Sequence, residues 1–152
     1  MFPTSVLSQS SGVAVSDEIV DLYNKMKLKH DTKYMLCKIN RDAGEIQLHK
    51  RVESGAGKTT YEAFVADLPP KEGMYAIYDF DYETVEGGKR SKLMFVVWAP
   101  DDAPIKEKML YASSKEGLKK KIVGIQIEVQ GTDYDEVEWD EIYKTHTNSG
   151  TK

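Results

Sequence analysis

Apolar positions along the chain fall into two periods, and together they predict a sequence of elements. Ile19, Leu22, Tyr23 and Met26 recur at helical spacing, behind Ser16 as a capping residue and Asp17 and Glu18 at the positive end of the helix dipole. Tyr34 to Ile39 and Ile46 to Val52 read as strands joined through the turn residues Asn40 to Gly44, a hairpin. Thr59 with Glu62 fits a capping box for a short helix reaching about Asp67, where Pro69 and Pro70 stop it. Met74 to Tyr82 and Lys92 to Trp98 are the next strands, linked through Gly87-Gly88-Lys89-Arg90. A long helix follows from Pro104, with Asp102 offering a capping oxygen and Gly124 a stop. Ile125 to Gln130 reads as another strand. Thr132 with Asp135 fits a second capping box, opening a final helix with Val137, Trp139, Ile142 and Tyr143 as its apolar contacts. Five strands and four helices in this order predict a single α/β (α+β) domain whose sheet is covered on both faces.

The long helix carries the most informative pattern. At about 100° per residue, Leu110, Tyr111, Ser114, Gly117 and Leu118 form one stripe, suited to burial. Lys108, Ala112, Lys115 and Lys119 form a second, with Ile105 and Met109 beside it rather than with the core. A lysine row alone is an ordinary solvated face. Apolar side chains flanking it turn the face into a docking surface with apolar anchors and a charged rim.

Charge sharpens that reading. The 152-residue chain has a net charge of −4, which argues against a general nucleic-acid binder. From Pro104 to Lys121, however, six lysines face two glutamates, while Asp133 to Glu141 holds six carboxylates and no base. A basic patch on an acidic protein points to an acidic partner, either a protein surface or anionic lipid. The single cysteine, Cys37, lies in an apolar run and suits a core position in a reducing compartment. No apolar run reaches the roughly 18 residues of a membrane span, and Met1 to Ser10 lacks the pattern of a secretory signal, so the expected location is cytoplasmic.

Candidate chemistry elsewhere is thin. Val52 to Thr59, VESGAGKT, is one residue from a phosphate-binding loop, but Val52 replaces the first glycine and resists the backbone geometry needed there. The helix behind it is short and ends at two prolines, so a glycine-rich turn is the better reading, and the strand-ending Asp79 is not expected to hold magnesium. His30, His49 and His146 are scattered, which predicts solvated side chains and no metal site. No cofactor and no catalytic group is expected.

Four stretches then carry a resemblance. SGVAVSDE from Ser11, YAIYDFDYE from Tyr75, GGKRSKLMFVVWAPD from Gly87 and APIKEKMLYASSKEGLKKKIVGIQIEVQGTD from Ala103 resemble, in the same order, the actin-depolymerising factor/cofilin family. The similarity spans Ser11 to about Tyr143. It implies a mixed five-stranded sheet flanked by helices, with a domain over 11–145 between a flexible extension (1–10) and a flexible tail (146–152). It implies a monomeric cytoskeletal protein, not an enzyme, that binds actin monomers and filaments and promotes severing and depolymerisation; a phosphoinositide-binding module without that activity is the alternative. The family's shared monomer and filament surface maps onto Ser11, Gly12, Val13, Ile105, Lys106, Lys108, Met109 and Lys115. Lys106 lies off the arc seen in the helix pattern, so its role rests on the resemblance. A filament-only surface maps onto Arg90, Lys92 and, where the C-terminal pattern departs from close relatives, Lys144. Lys115, Lys119, Lys120 and Lys121 would supply charge for phosphoinositides, and Ser11 is the position of a regulatory phosphorylation.

Overall fold

Met74 to Phe80 is buried at every position, which requires a strand covered on both faces rather than one. That strand is central to the computed structural model, which describes residues 12–55 and 60–147. The elements are β1 (Ala14–Val15), α1 (Asp17–Lys29), β2 (Thr32–Asn40), β3 (Glu45–Glu53), α2 (Thr60–Asp67), β4 (Met74–Glu83), β5 (Lys89–Trp98), α3 (Ile105–Lys119), β6 (Ile127–Gly131), a 3-10 turn (Tyr134–Val137) and α4 (Trp139–His146). The strands form one mixed sheet in the order β1-β3-β2-β4-β5-β6. Its two outer pairs, β1 with β3 and β5 with β6, are parallel, and the others are antiparallel.

The α/β class and the two covered faces agree with the sequence reading, whereas the strand count of five becomes six among the described residues. The extra strand, β1, is two residues pairing with Glu45 and Ile46, tied by the Ala14 N–H on the Gly44 carbonyl and the Ser16 N–H on the Ile46 carbonyl, both 2.9 Å. Alternation along β4 divides the core. Tyr75 and Ile77 meet Ile19, Tyr23 and Met26 of α1 and Tyr111 and Leu118 of α3. Ala76, Tyr78 and Phe80 meet Phe64 and Leu68 at α2 and Val137 and Ile142 near the C-terminus. Thus α1 and α3 share one face, and α2 and α4 the other.

Helix ends follow local chemistry, with some changes from the expected residues. Ser16 caps α1 as predicted, its Oγ accepting the Glu18 N–H at 3.2 Å. At α3 the cap is Pro104 itself, with no side-chain cap, rather than Asp102, and the helix ends at Lys119 instead of running to Gly124. The capping box before α4 is Asp133 with Glu136, one residue beyond the predicted Thr132 with Asp135. The Glu136 carboxylate accepts the Thr132 N–H at 2.6 Å and its hydroxyl at 2.9 Å, and these bonds hold its pKa below the usual range. Thr59, half of the predicted box with Glu62, and the near-motif's Lys58 lie outside the described residues.

His30 is not simply solvated. It ends α1 in the left-handed region, φ 54°, and its Nδ1 lies 2.8 Å from Oδ2 of Asp79, whose side chain is buried. Cys37 is a core thiol, its pKa pushed up to about 12 by burial. Among the described residues no three His, Cys, Asp or Glu side chains gather into a metal site, and no helix is long and apolar enough to cross a membrane.

Candidate functional site

Helix α3 is set on the sheet by groups that the lysine pattern does not advertise. Tyr111 buries its ring against Tyr75 at 4.9 Å between centroids, and its hydroxyl oxygen accepts the Ile39 N–H at 2.9 Å. The Tyr75 hydroxyl donates to the Tyr111 carbonyl, which adds a second tether. Glu107, in the first turn, bridges two neighbours. One oxygen meets Arg41 of the β2–β3 turn at 2.6 Å, and the other accepts the Gly73 N–H at 2.8 Å. A carboxylate in that position also complements the helix dipole. The outward face is therefore held by an aromatic tether at mid-helix and an ion pair at the tip.

On that face the sequence-predicted residues separate into two groups. Ile105 and Met109 are 69% and 65% exposed, large apolar side chains left to solvent at the N-terminal half of the helix. Lys106 beside them is exposed and has no ion pair or side-chain hydrogen bond among the described residues. Lys108 is half-buried, its Nζ reaching only the Asp101 carbonyl at 3.3 Å. At the other end, Lys119 lies 2.8 Å and Lys115 3.7 Å from the two carboxylate oxygens of Glu128 on β6. That carboxylate pushes the Lys119 pKa up and offsets part of the charge at this end of the row. Lys120 and Lys121 beyond it are exposed.

The N-terminal segment meets the same tip. Gly12 takes φ 76°, a backbone region open to glycine, and turns the chain so that Val13 enters the core at 8% exposure. Val13 therefore lines the floor of the predicted surface instead of projecting from it, together with Ile39, Arg41, Gly44, Lys106 and Leu110 around a shallow groove of about 320 Å³. Leu110, assigned to the buried stripe, is half-buried here. Ser11 lies outside the described residues.

The hairpin charges occupy the opposite end of β5. Arg90 pairs across from Tyr82 and is exposed. Lys92 is half-buried and donates to the His146 carbonyl at 3.3 Å, so it ties the hairpin to the C-terminal end of α4. Lys144 is exposed. Strand β5, Lys89–Trp98, is roughly 30 Å long, and the chain leaves for α3 from its other end.

Comparison with known proteins decides what this arrangement belongs to. Residues 12–147 match the family model described as cofilin/tropomyosin-type actin-binding protein. The chain belongs to this cofilin family. It is similar to the cofilin of Mycosarcoma maydis, 47% identical over 133 residues that cover 88% of this chain and 93% of the relative. It is 45% identical over 132 residues to the actophorin of Acanthamoeba castellanii, covering 87% and 93%. Among solved structures, the cofilin of Streptomyces griseoflavus superposes with a TM-score of 0.80 at 40% identity, covering 90% of this chain and 98% of that one. Actin depolymerization factor 2 of Plasmodium berghei also gives 0.80, at 34% identity, covering 92% and 99%. Within this cofilin fold, sequence reasoning missed Arg41, Glu107 and Glu128 as residues that hold or neutralise the α3 face, and it placed Tyr111 in the buried stripe without its hydroxyl tether. Glu107 carried a weak signal, as an acid in the first turn of a lysine-bearing helix. The Glu128 contact carried none, since it is made across tertiary structure.

Proposed function

We propose that this chain is a cytoplasmic protein of the actin cytoskeleton that binds actin monomers and filaments and promotes filament severing and depolymerisation, without catalytic chemistry of its own. The observation that carries the reading is the tip of α3, where Ile105 and Met109 stand exposed beside two lysines that have no carboxylate partner among the described residues, in a chain of the cofilin family. Apolar anchors with a basic rim complement an acidic protein surface that offers apolar pockets. Gly12 and the groove over Val13 extend this surface, and Ser11, directly before Gly12, joins it in the proposal. Disassembly follows from differential binding: a protein that prefers a distorted filament state weakens contacts between subunits in proportion to that preference. Pelleting with filaments, together with light scattering for shortening, tests the reading; no binding and no shortening at micromolar protein would end it.

The filament-specific contact is assigned to the hairpin, Arg90 and Lys92, with Lys144 near it. Its place at the end of β5 opposite the connection to α3 supports a contact made on a second actin subunit. Arg90→Ala is the cleaner probe, because Lys92 also braces α4. We expect about a tenfold loss of filament affinity with monomer affinity unchanged. Equal losses in the two assays would contradict the two-surface assignment.

Phosphoinositide binding is assigned to Lys115, Lys119, Lys120 and Lys121. Lys120 and Lys121 support it through their exposure, while Glu128 holds back the other two. Phosphorylation at Ser11 would set about −1.5 to −2 charges beside a surface meant for an acidic partner. Ser11→Asp should accordingly weaken monomer binding several-fold while Ser5→Asp leaves it unchanged; equal binding by Ser11→Asp and the parent protein removes the switch.

A further inference from the structure

The face of the sheet opposite α3 carries a second unfilled surface. Between α2 and the 3-10 turn with α4 runs a groove of about 660 Å³. Its apolar lining includes Val65, Tyr134 and Trp139, the last two 38% and 37% exposed although each is a large aromatic. Neither ring is loose. Trp139 stacks on Phe80 at 5.6 Å and on Tyr143 at 4.9 Å, and Tyr134 packs on Trp98 at 4.9 Å while its hydroxyl donates to the Leu68 carbonyl at 2.7 Å. Rings propped from behind in this way form a rigid floor, and their exposed surface is free for a ligand at little ordering cost.

Around that floor stand Glu62, Glu138 and Asp140. Other acids of the same acidic stretch have internal uses: Asp133 and Glu136 form the capping box, and Glu141 accepts the Thr145 hydroxyl at 3.0 Å. Glu62, Glu138 and Asp140 have no ion pair and no side-chain hydrogen bond among the described residues. Among the described residues, no lysine or arginine lines the groove. Three unneutralised carboxylates beside two exposed aromatic rings repel phosphate, which excludes nucleic acid and anionic lipid as occupants. They complement a guanidinium, which can stack on an indole, run its methylene stem over Val65 and meet carboxylates at its edge.

We propose that this groove docks an arginine-rich, apolar-interrupted segment of a partner protein other than actin. The site goes beyond the actin reading, since its charge is opposite to that of the α3 tip and it lies on the other face of the sheet.

The probe is a fluorescein-labelled octapeptide alternating arginine and leucine, titrated with the full chain and read by anisotropy, with the glutamate-leucine counterpart as control. Saturable binding of the arginine peptide alone is expected, with a shift of the Trp139 indole N–H resonance. Combined Glu62→Gln, Glu138→Gln and Asp140→Asn should weaken it about tenfold. Ala66→Arg, which sets a basic side chain at the rim of the groove with every carboxylate intact, should weaken it similarly. Filament pelleting should be unchanged in both variants, which separates failure here from failure of the actin reading. Peptide binding retained by both variants would overturn the proposal, as would equal binding of the glutamate peptide. Self-association of the chain abolished by Ala66→Arg would overturn it too, since the occupant would then be a second copy.

Discussion

Replacing Lys106 and Lys108 together by alanine will weaken binding to monomeric actin by about 2 kcal/mol, roughly thirtyfold, without changing stability. The size follows from their setting. Among the described residues Lys106 has no ion pair or side-chain hydrogen bond and Lys108 only a peripheral hydrogen bond to a carbonyl, so neither contributes appreciably to the fold. Both flank Ile105 and Met109, whose exposed side chains would be desolvated in a complex, and charges at the edge of a desolvated anchor gain more than charges screened by water. Isothermal titration with monomeric actin and thermal melting check the two halves separately. Surface substitutions of this kind change stability by no more than about 0.5 kcal/mol. Unchanged affinity with unchanged melting would show that the lysines belong to a merely solvated face. By contrast, Lys115 and Lys119 should contribute less to actin affinity, because Glu128 already holds them.

A second large effect is expected away from the surface, at Gly73. A Cβ added there would sit 2.4 Å from Cδ1, 2.6 Å from Cε1 and 2.8 Å from Cγ of Tyr111. The ring has little room to retreat, since its hydroxyl oxygen takes the Ile39 N–H, the Tyr111 carbonyl takes the Tyr75 hydroxyl, and the two rings pack together. Overpacking of a held ring destabilises by about 3 kcal/mol, which lowers the melting temperature of a domain this size by about 10 °C. Gly73→Ala should also reduce actin affinity, because its N–H bonds Glu107 and its neighbour Tyr111 seats α3. Gly88→Ala is the control: its Cβ would meet only the Thr84 hydroxyl, at 3.4 Å. Melting of Gly73→Ala within about 2 °C of the parent would mean that the Tyr111 ring moves freely and α3 is not seated as described.

These expectations draw unequally on sequence and on structure. Helix α3 was legible because its apolar stripe, lysine row and two misplaced apolar residues all follow one 3.6-residue period, and periodicity survives in one dimension. The central strands were legible as apolar runs too short for helices. By contrast, β1 has two residues, less than one repeat of any pattern, and exists only because β3 offers a parallel edge. The box before α4 was displaced by one residue because Thr132, Asp133, Asp135 and Glu136 all satisfy the same spacing rule, and tertiary position chooses among them. The burial of Val13 was not legible either: it sits at 8% exposure beside Gly12, whose positive φ no pattern of apolar residues announces. The seating of α3 was least legible. Tyr111 with Ile39, Glu107 with Arg41 and Gly73, and Glu128 with Lys115 and Lys119 each join residues far apart in sequence, and no local rule pairs them.

The most direct test of the account is the footprint of actin on this chain. With methyl groups of isoleucine and methionine isotopically labelled, monomeric actin is titrated in and the resonances followed one by one. The account predicts that Ile105 and Met109 lose intensity first and together, while Met94 and Ile142, buried on the opposite face, follow only through slower tumbling of the complex. Ile105 and Met109 remaining sharp in a complex that demonstrably forms would contradict it.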